Sequence, residues 1–223
     1  MRSRPDRSQT TCVIGLEPLE PRRLLSAAPL ADGLLDSPAV PPAGLVLPVC
    51  DAAVGAGTSV LLSEVPEYFW YRGCAPTSAG MILGYWDTLG YPNYIPGDAT
   101  YQTFQVNQAI ASTGHDYDYY FADPDRNPPT HTDDCIADFM GASRDPLGAG
   151  WSYVNDSDDG INRYGDWVGY SCSHAWNEFW GELTWSDVVA EINARRPMML
   201  MVDSDGDGNI DHAVPMIGYR TEP

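Results

Sequence analysis

Hydrophobic positions change their rhythm along this chain near residue 64. After Cys74, the residues Met81, Ile82, Tyr85, Trp86 and Leu89 recur at the three- and four-residue steps of a helix. Pro76 fits only a first turn, where its missing N–H costs nothing, so this helix starts between Cys74 and Pro76. Gly80 and Gly84 stand one turn apart and predict close approach of a second element. Gln102 to Ala111 predicts a short helix, and Ile136, Phe139 and Met140 mark one helical face in "CIADFMGAS". "NDSDDGINRYGDWVGYSC" predicts a turn-rich loop with a short helix around Ile161 to Tyr164. "LTWSDVVAEINARRP" is the clearest second helix. Thr184 and Asp187 have capping-box spacing, Val188, Val189 and Ile192 form its apolar stripe, and Pro197 stops it. Met198 to Val202 and His212 to Arg220 read as strands. Pro215 cannot donate to a ladder, so its amide position faces outward or the strand is irregular there. A helix early, a loop-rich middle and strands late predict an α+β fold rather than repeating βαβ units.

Residues 1–63 show no clear period. "APLADGLLDSPAVPPAGLVLPVCDAAVGAGTS" has linker composition, which leaves 64–223 as one folded domain. The net charge of -19 argues against nucleic acid and anionic membrane as partners, because both need a basic face. No apolar run approaches the length of a membrane-spanning helix. The cysteines are Cys12, Cys50, Cys74, Cys135 and Cys172. An odd number with no CxxC pair argues against a zinc site and against a dense disulfide framework, and leaves Cys135 to Cys172 as one candidate bridge.

Cys74 is the first candidate for chemistry. A cysteine at a helix start faces unpaired N–H groups and the positive end of the dipole, which favour the thiolate. The following N–H groups are placed to hold an oxyanion. Such a nucleophile needs a base from a distant segment. His212 opens a strand at a separation within the roughly 130–150 residues typical of papain-like enzymes. His115, His131 and His174 stand in loop-like context, and His131 in "PTHTDDCIADF" is the rival base. The structural alternative for Cys74 is a small buried residue in a core helix.

"GCAPTSAGMILGYWD" and "GDGNIDHAVPMIGY" resemble the Cys and His motifs of the C39-like peptidases, bacterial members of the papain-like fold. "HTDDCIADFM" and "GYSCSHAWNEFWGELTWSDVVAEINARRPMMLMV" resemble the same group, so the likeness spans roughly Val65 to Tyr219. It implies a Cys-bearing helix on an antiparallel sheet that carries the His, with Cys74 as nucleophile, His212 as general base, and a peptide or protein as substrate. Two features depart from the family pattern. "VPEYFWYRGC" holds Tyr68, Phe69 and Trp70 where a Gln often donates to the oxyanion. Beyond His212 there is no Asp or Asn to orient it, and Glu222 is the only carboxylate. A further segment, a substitute residue or a degenerate site are the three explanations. The degenerate case predicts a surface binding module with Trp70, Tyr71, Trp176 and Trp180 at the cleft rim. "GLEPLEPRRLLSA", Gly15 to Ala27, resembles the LEPR-XLL segment of planctomycete surface and secreted proteins, which implies an extracellular or cell-surface location.

"DSDGDGNID" places Asp203, Asp205 and Asp207 at alternate positions, then Gly208, the Asn209 carbonyl and Asp211. This is the start of an EF-hand-like loop for Ca2+, without the closing Glu and without flanking helices, so a weak site is expected. The competing reading is a polar hairpin turn. "NDSDDG", Asn155 to Gly160, is a second acidic run that reads as a solvated loop or a second ion site.

Overall fold

The computed structural model describes residues 12–17, 34–35, 57–117, 133–143, 150–170, 174–179, 183–204, 206–207 and 209–221. Helix α1 (Cys74–Thr88) is the central element, buried through its first three turns. Its apolar surface is wider than the stripe legible in the sequence, because other elements cover it on several sides. The two glycines permit that approach. A Cβ on Gly80 would stand 2.7 Å from Ile110 of α2 (Phe104–Ile110), and one on Gly84 2.5 Å from the Tyr68 hydroxyl. Thr103 caps α2 by accepting from the Val106 N–H at 3.1 Å. Two short helices follow, α3 (Thr113–Tyr117) and α4 (Ile136–Phe139).

Helix α5 (Ser157–Val168) follows a 3₁₀ turn at Val154–Asp156 and ends on Gly169 in the left-handed region, φ 101°. It replaces the loop expected at "NDSDDG". Asp158 lies in its first turn, where carboxylates favour the helix dipole, and its Oδ1 accepts from Asn177 Nδ2 at 2.9 Å. A Cβ on Gly160 would meet the Met140 backbone at 2.6 Å, so α5 presses directly on the end of α4. Helix α6 (Trp185–Asn193) carries the expected capping box, with Thr184 Oγ1 and the Asp187 carboxylate satisfying each other's N–H groups.

The main sheet is antiparallel with strand order β5-β1-β6-β7, built from β1 (Cys12–Glu17), β5 (His174–Phe179), β6 (Met198–Val202) and β7 (His212–Met216). Pro215 lies on β7, an edge strand among the described residues, opposite Met199 of β6. The predicted strand His212 to Arg220 is divided, with β8 (Gly218–Arg220) turning away to pair with β3 (Ser59–Leu61). Strand β2 (Leu34–Leu35) pairs with β4 (Ser152–Tyr153). β1, β2 and β3 all fall in the stretch read as linker. A strand with neighbours on both sides needs only a short apolar run, and "CVIGL" supplies one inside otherwise Pro- and Ala-rich sequence. The fold is thus α+β, a mixture of helices and small antiparallel sheets. No helix among the described residues is long and apolar enough to cross a membrane.

Candidate active site

Cys74 is the first residue of α1, and the chain reaches it through a sharp elbow. Arg72 has φ 59°, in the left-handed region, and Gly73 has φ 149°. The bend is packed against another backbone: a Cβ on Gly150 would lie 1.9 Å from the Arg72 carbonyl oxygen. Thr77 clamps the elbow from inside the helix. Its Oγ1 accepts from the Tyr71 N–H at 3.0 Å and donates to the Gly73 carbonyl at 2.6 Å. Ahead of the elbow, the side-chain amide of Gln102 holds Phe69 by both backbone groups, at 2.8 and 3.2 Å, and donates to Asn107 Oδ1 at 2.6 Å. An amide therefore stands beside the segment preceding the cysteine, supplied from a distant part of the chain. Phe69 itself is 84% exposed.

Cys74 is a thiol, 3% exposed, in the same buried cluster as Ala213. Its helix packs on β7. Ser78, one turn beyond Cys74 on the same face, donates to the carbonyl of Ala213 at 3.0 Å. Ala213 follows His212, the first residue of β7. The fold thus brings the elements that bear Cys74 and His212 into direct contact. Burial pushes the His212 imidazole below the ordinary histidine value, against an upward pull from the Asp211 carboxylate. The downward shift favours the neutral imidazole, the form that accepts a proton. Its Nδ1 is buried and takes no hydrogen bond among the described residues.

The acidic run is the connection between β6 and β7, closed by Asp211 N–H to the Val202 carbonyl at 3.0 Å. Its carboxylates hold the loop's own N–H groups. Asp203 Oδ1 accepts from Gly206 and Asp207 at 2.6 and 3.2 Å, Asp207 Oδ1 from Asn209 at 2.8 Å, and Asp211 Oδ1 from Ser204 at 2.7 Å. Asp203, Asp207 and Asp211 do not converge within one ion's reach among the described residues, and Asp205 lies outside them. His131, Cys172 and Trp180 also lie outside the described residues. Trp70 and Tyr71 are partly buried against the core, next to the elbow.

His115 and Cys135 depart from expectation. His115 is not in a loop but on α3, 1% exposed, with Nδ1 2.7 Å from Asp138 Oδ1. Cys135 is a thiol rather than half of a disulfide. It caps α4, and its Sγ donates to Asp138 Oδ2 at 2.9 Å. Burial, and then the Asp138 charge, push this thiol well above the ordinary cysteine value. Burial pushes the Asp138 carboxyl up, but the His115 and Cys135 hydrogen bonds outweigh it and hold the group below the usual carboxylate value. The Cys-x-x-Asp spacing is visible in "CIAD" as a variant capping box; its link to His115 is not.

The Peptidase_C39 like family matches residues 62–222, and the chain belongs to that family. No curated protein and no solved structure matches the chain. The family makes the protein cysteine peptidase-like and suggests a protein substrate.

Proposed function

We propose that this chain is a cysteine peptidase of papain-like fold, using Cys74 as nucleophile and His212 as general base. The supporting observation is the seam between α1 and β7, where the Ser78–Ala213 hydrogen bond ties the helix turn after Cys74 to the strand that His212 opens. In this reading His212 takes the Cys74 proton and the sulfur adds to the peptide carbonyl carbon. The oxyanion forms where the N–H groups at the start of α1 point. The imidazolium then protonates the leaving amine, and a thioester remains. Water, deprotonated by His212, cleaves the thioester to the acid and restores the thiol.

A second reading has its own observation. The buried Nδ1 of His212 lacks an orienting partner among the described residues, which favours a catalytically degenerate surface or binding module on the same scaffold. The LEPR-XLL-like segment supports an extracellular or cell-surface location for either reading. The proposal includes a weak Ca2+ site that stiffens the approach to His212, with Asp203, Asp205, Asp207, Asn209 and Asp211 as ligands; binding requires Asp203, Asp207 and Asp211 to give up the loop N–H groups they hold and turn inward. Alternating carboxylates support it.

One experiment tests these together. Alkylation of Cys74 is followed against pH with and without calcium, in the wild type and in His212→Ala, beside hydrolysis of a peptide library. Fast alkylation well below pH 8 that the mutation abolishes, together with peptide cleavage, is the expected result. Ordinary thiol behaviour indifferent to His212 overturns the peptidase reading in favour of the binding module. An unchanged alkylation profile and thermal midpoint on adding calcium overturn the calcium part alone.

A further inference from the structure

We propose that His115, Cys135 and Asp138 form a buried site for a divalent transition metal of the zinc class, pinning α3 to α4. One ligand atom from each residue lies within 4.8 Å of the others, and all three residues are at most 1% exposed. Imidazole nitrogen, thiolate sulfur and carboxylate oxygen are the donor types zinc takes. The spacing rule that argues against zinc looks for paired cysteines. Here the fold assembles a mixed set from residues 23 apart along the chain.

Charge favours the assignment. A buried carboxylate is costly unless it is paired. A divalent cation with one thiolate, one carboxylate and one neutral imidazole makes a site of zero net charge. Of the three hydrogen bonds to Asp138, the Cys135 backbone N–H on Oδ2 holds the carboxylate in place, and the two side-chain bonds occupy the positions metal bonds would take: Sγ–H on Oδ2 and the imidazole Nδ1–H on Oδ1. On binding, the thiol proton leaves to solvent and the imidazole proton shifts from Nδ1 to Nε2, so that sulfur and nitrogen each present a lone pair. Three protein ligands leave the fourth tetrahedral position to a small ligand. At this burial the role is structural, and it stands independently of the chemistry at Cys74.

The test is to express the full chain in medium supplied with zinc or cobalt and measure metal per chain after desalting. Cobalt also reports directly, through a sulfur-to-cobalt charge-transfer band. About one metal per chain is expected in the wild type and in Cys74→Ser, with the band lost in Cys135→Ser. Folded wild-type protein without stoichiometric metal from either medium overturns the proposal. So does a band that survives Cys135→Ser and disappears in Cys74→Ser. Should Cys135→Ser not fold, His115→Gln takes its place, and the wild-type stoichiometry and band still decide.

Discussion

Cys74 and Cys135 each stand at the start of a helix, each is buried, and each carries a thiol. What surrounds them differs. Cys135 has a carboxylate three residues on, 2.9 Å from its sulfur, and burial, then that charge, keep the proton on the thiol. Cys74 is followed at the same offset by Thr77, whose hydroxyl is turned back to the elbow, and its helix packs on the strand of a histidine whose downward shift favours the neutral form. A helix start by itself therefore does not make a reactive cysteine. The residue three positions on, and the element packed against the helix, set the surroundings of each sulfur, and under the proposed function they separate a nucleophile from a structural thiol.

This contrast can be broken by stability measurements. The largest effect expected is at the α3–α4 corner. Asp138→Ala leaves a buried imidazole and thiol without their shared acceptor and should cost about 3 kcal/mol in urea unfolding. Ser78→Ala on the α1–β7 seam removes one neutral hydrogen bond and should cost about 1 kcal/mol. Equal costs would remove the distinction between a structural corner and a functional seam. Gly160→Ala falls between these two. Its new methyl meets the Met140 backbone, which cannot swing aside, so about 1–3 kcal/mol of destabilisation is expected, with the thermal midpoint as readout.

The smallest effect is one of pH, and both regions share it. Tyr68 lies against Gly84 of α1, and Tyr164 stacks beside Phe139 at the corner. Burial raises both phenols above their ordinary value, reinforced at Tyr68 by the Asp87 and Asp98 carboxylates and at Tyr164 by Cys135 and then Asp87. A raised folded value means that stability is complete below the unfolded tyrosine's pKa and falls as pH rises past it, because only the unfolded chain ionises. Unfolding should therefore ease above about pH 10. Tyr164→Phe and Tyr68→Phe should each blunt that loss, and a slope unchanged in both variants would show that these phenols do not drive it.

Local grammar made much of the molecule legible in advance. Pro76 and the apolar spacing placed the start of α1, Thr184 and Asp187 capped α6, and paired glycines announced close packing. These features depend on residues within a turn or two of each other, and that range is where sequence patterns speak. The α+β class, the two strands late in the chain and the positions of Cys74 and His212 at element starts follow from the same short-range signals. Other features needed the tertiary structure. β1 sits inside the sheet because β5 and β6 flank it, although its composition blends with a linker. "NDSDDG" became the start of a helix because Gly160 lets α5 lie on Met140. His115 met Asp138 and Cys135 through a buried corner that no spacing rule encodes. Partnership between residues far apart in the chain is paid for by packing, and only the assembled core determines which side chains lose their water together.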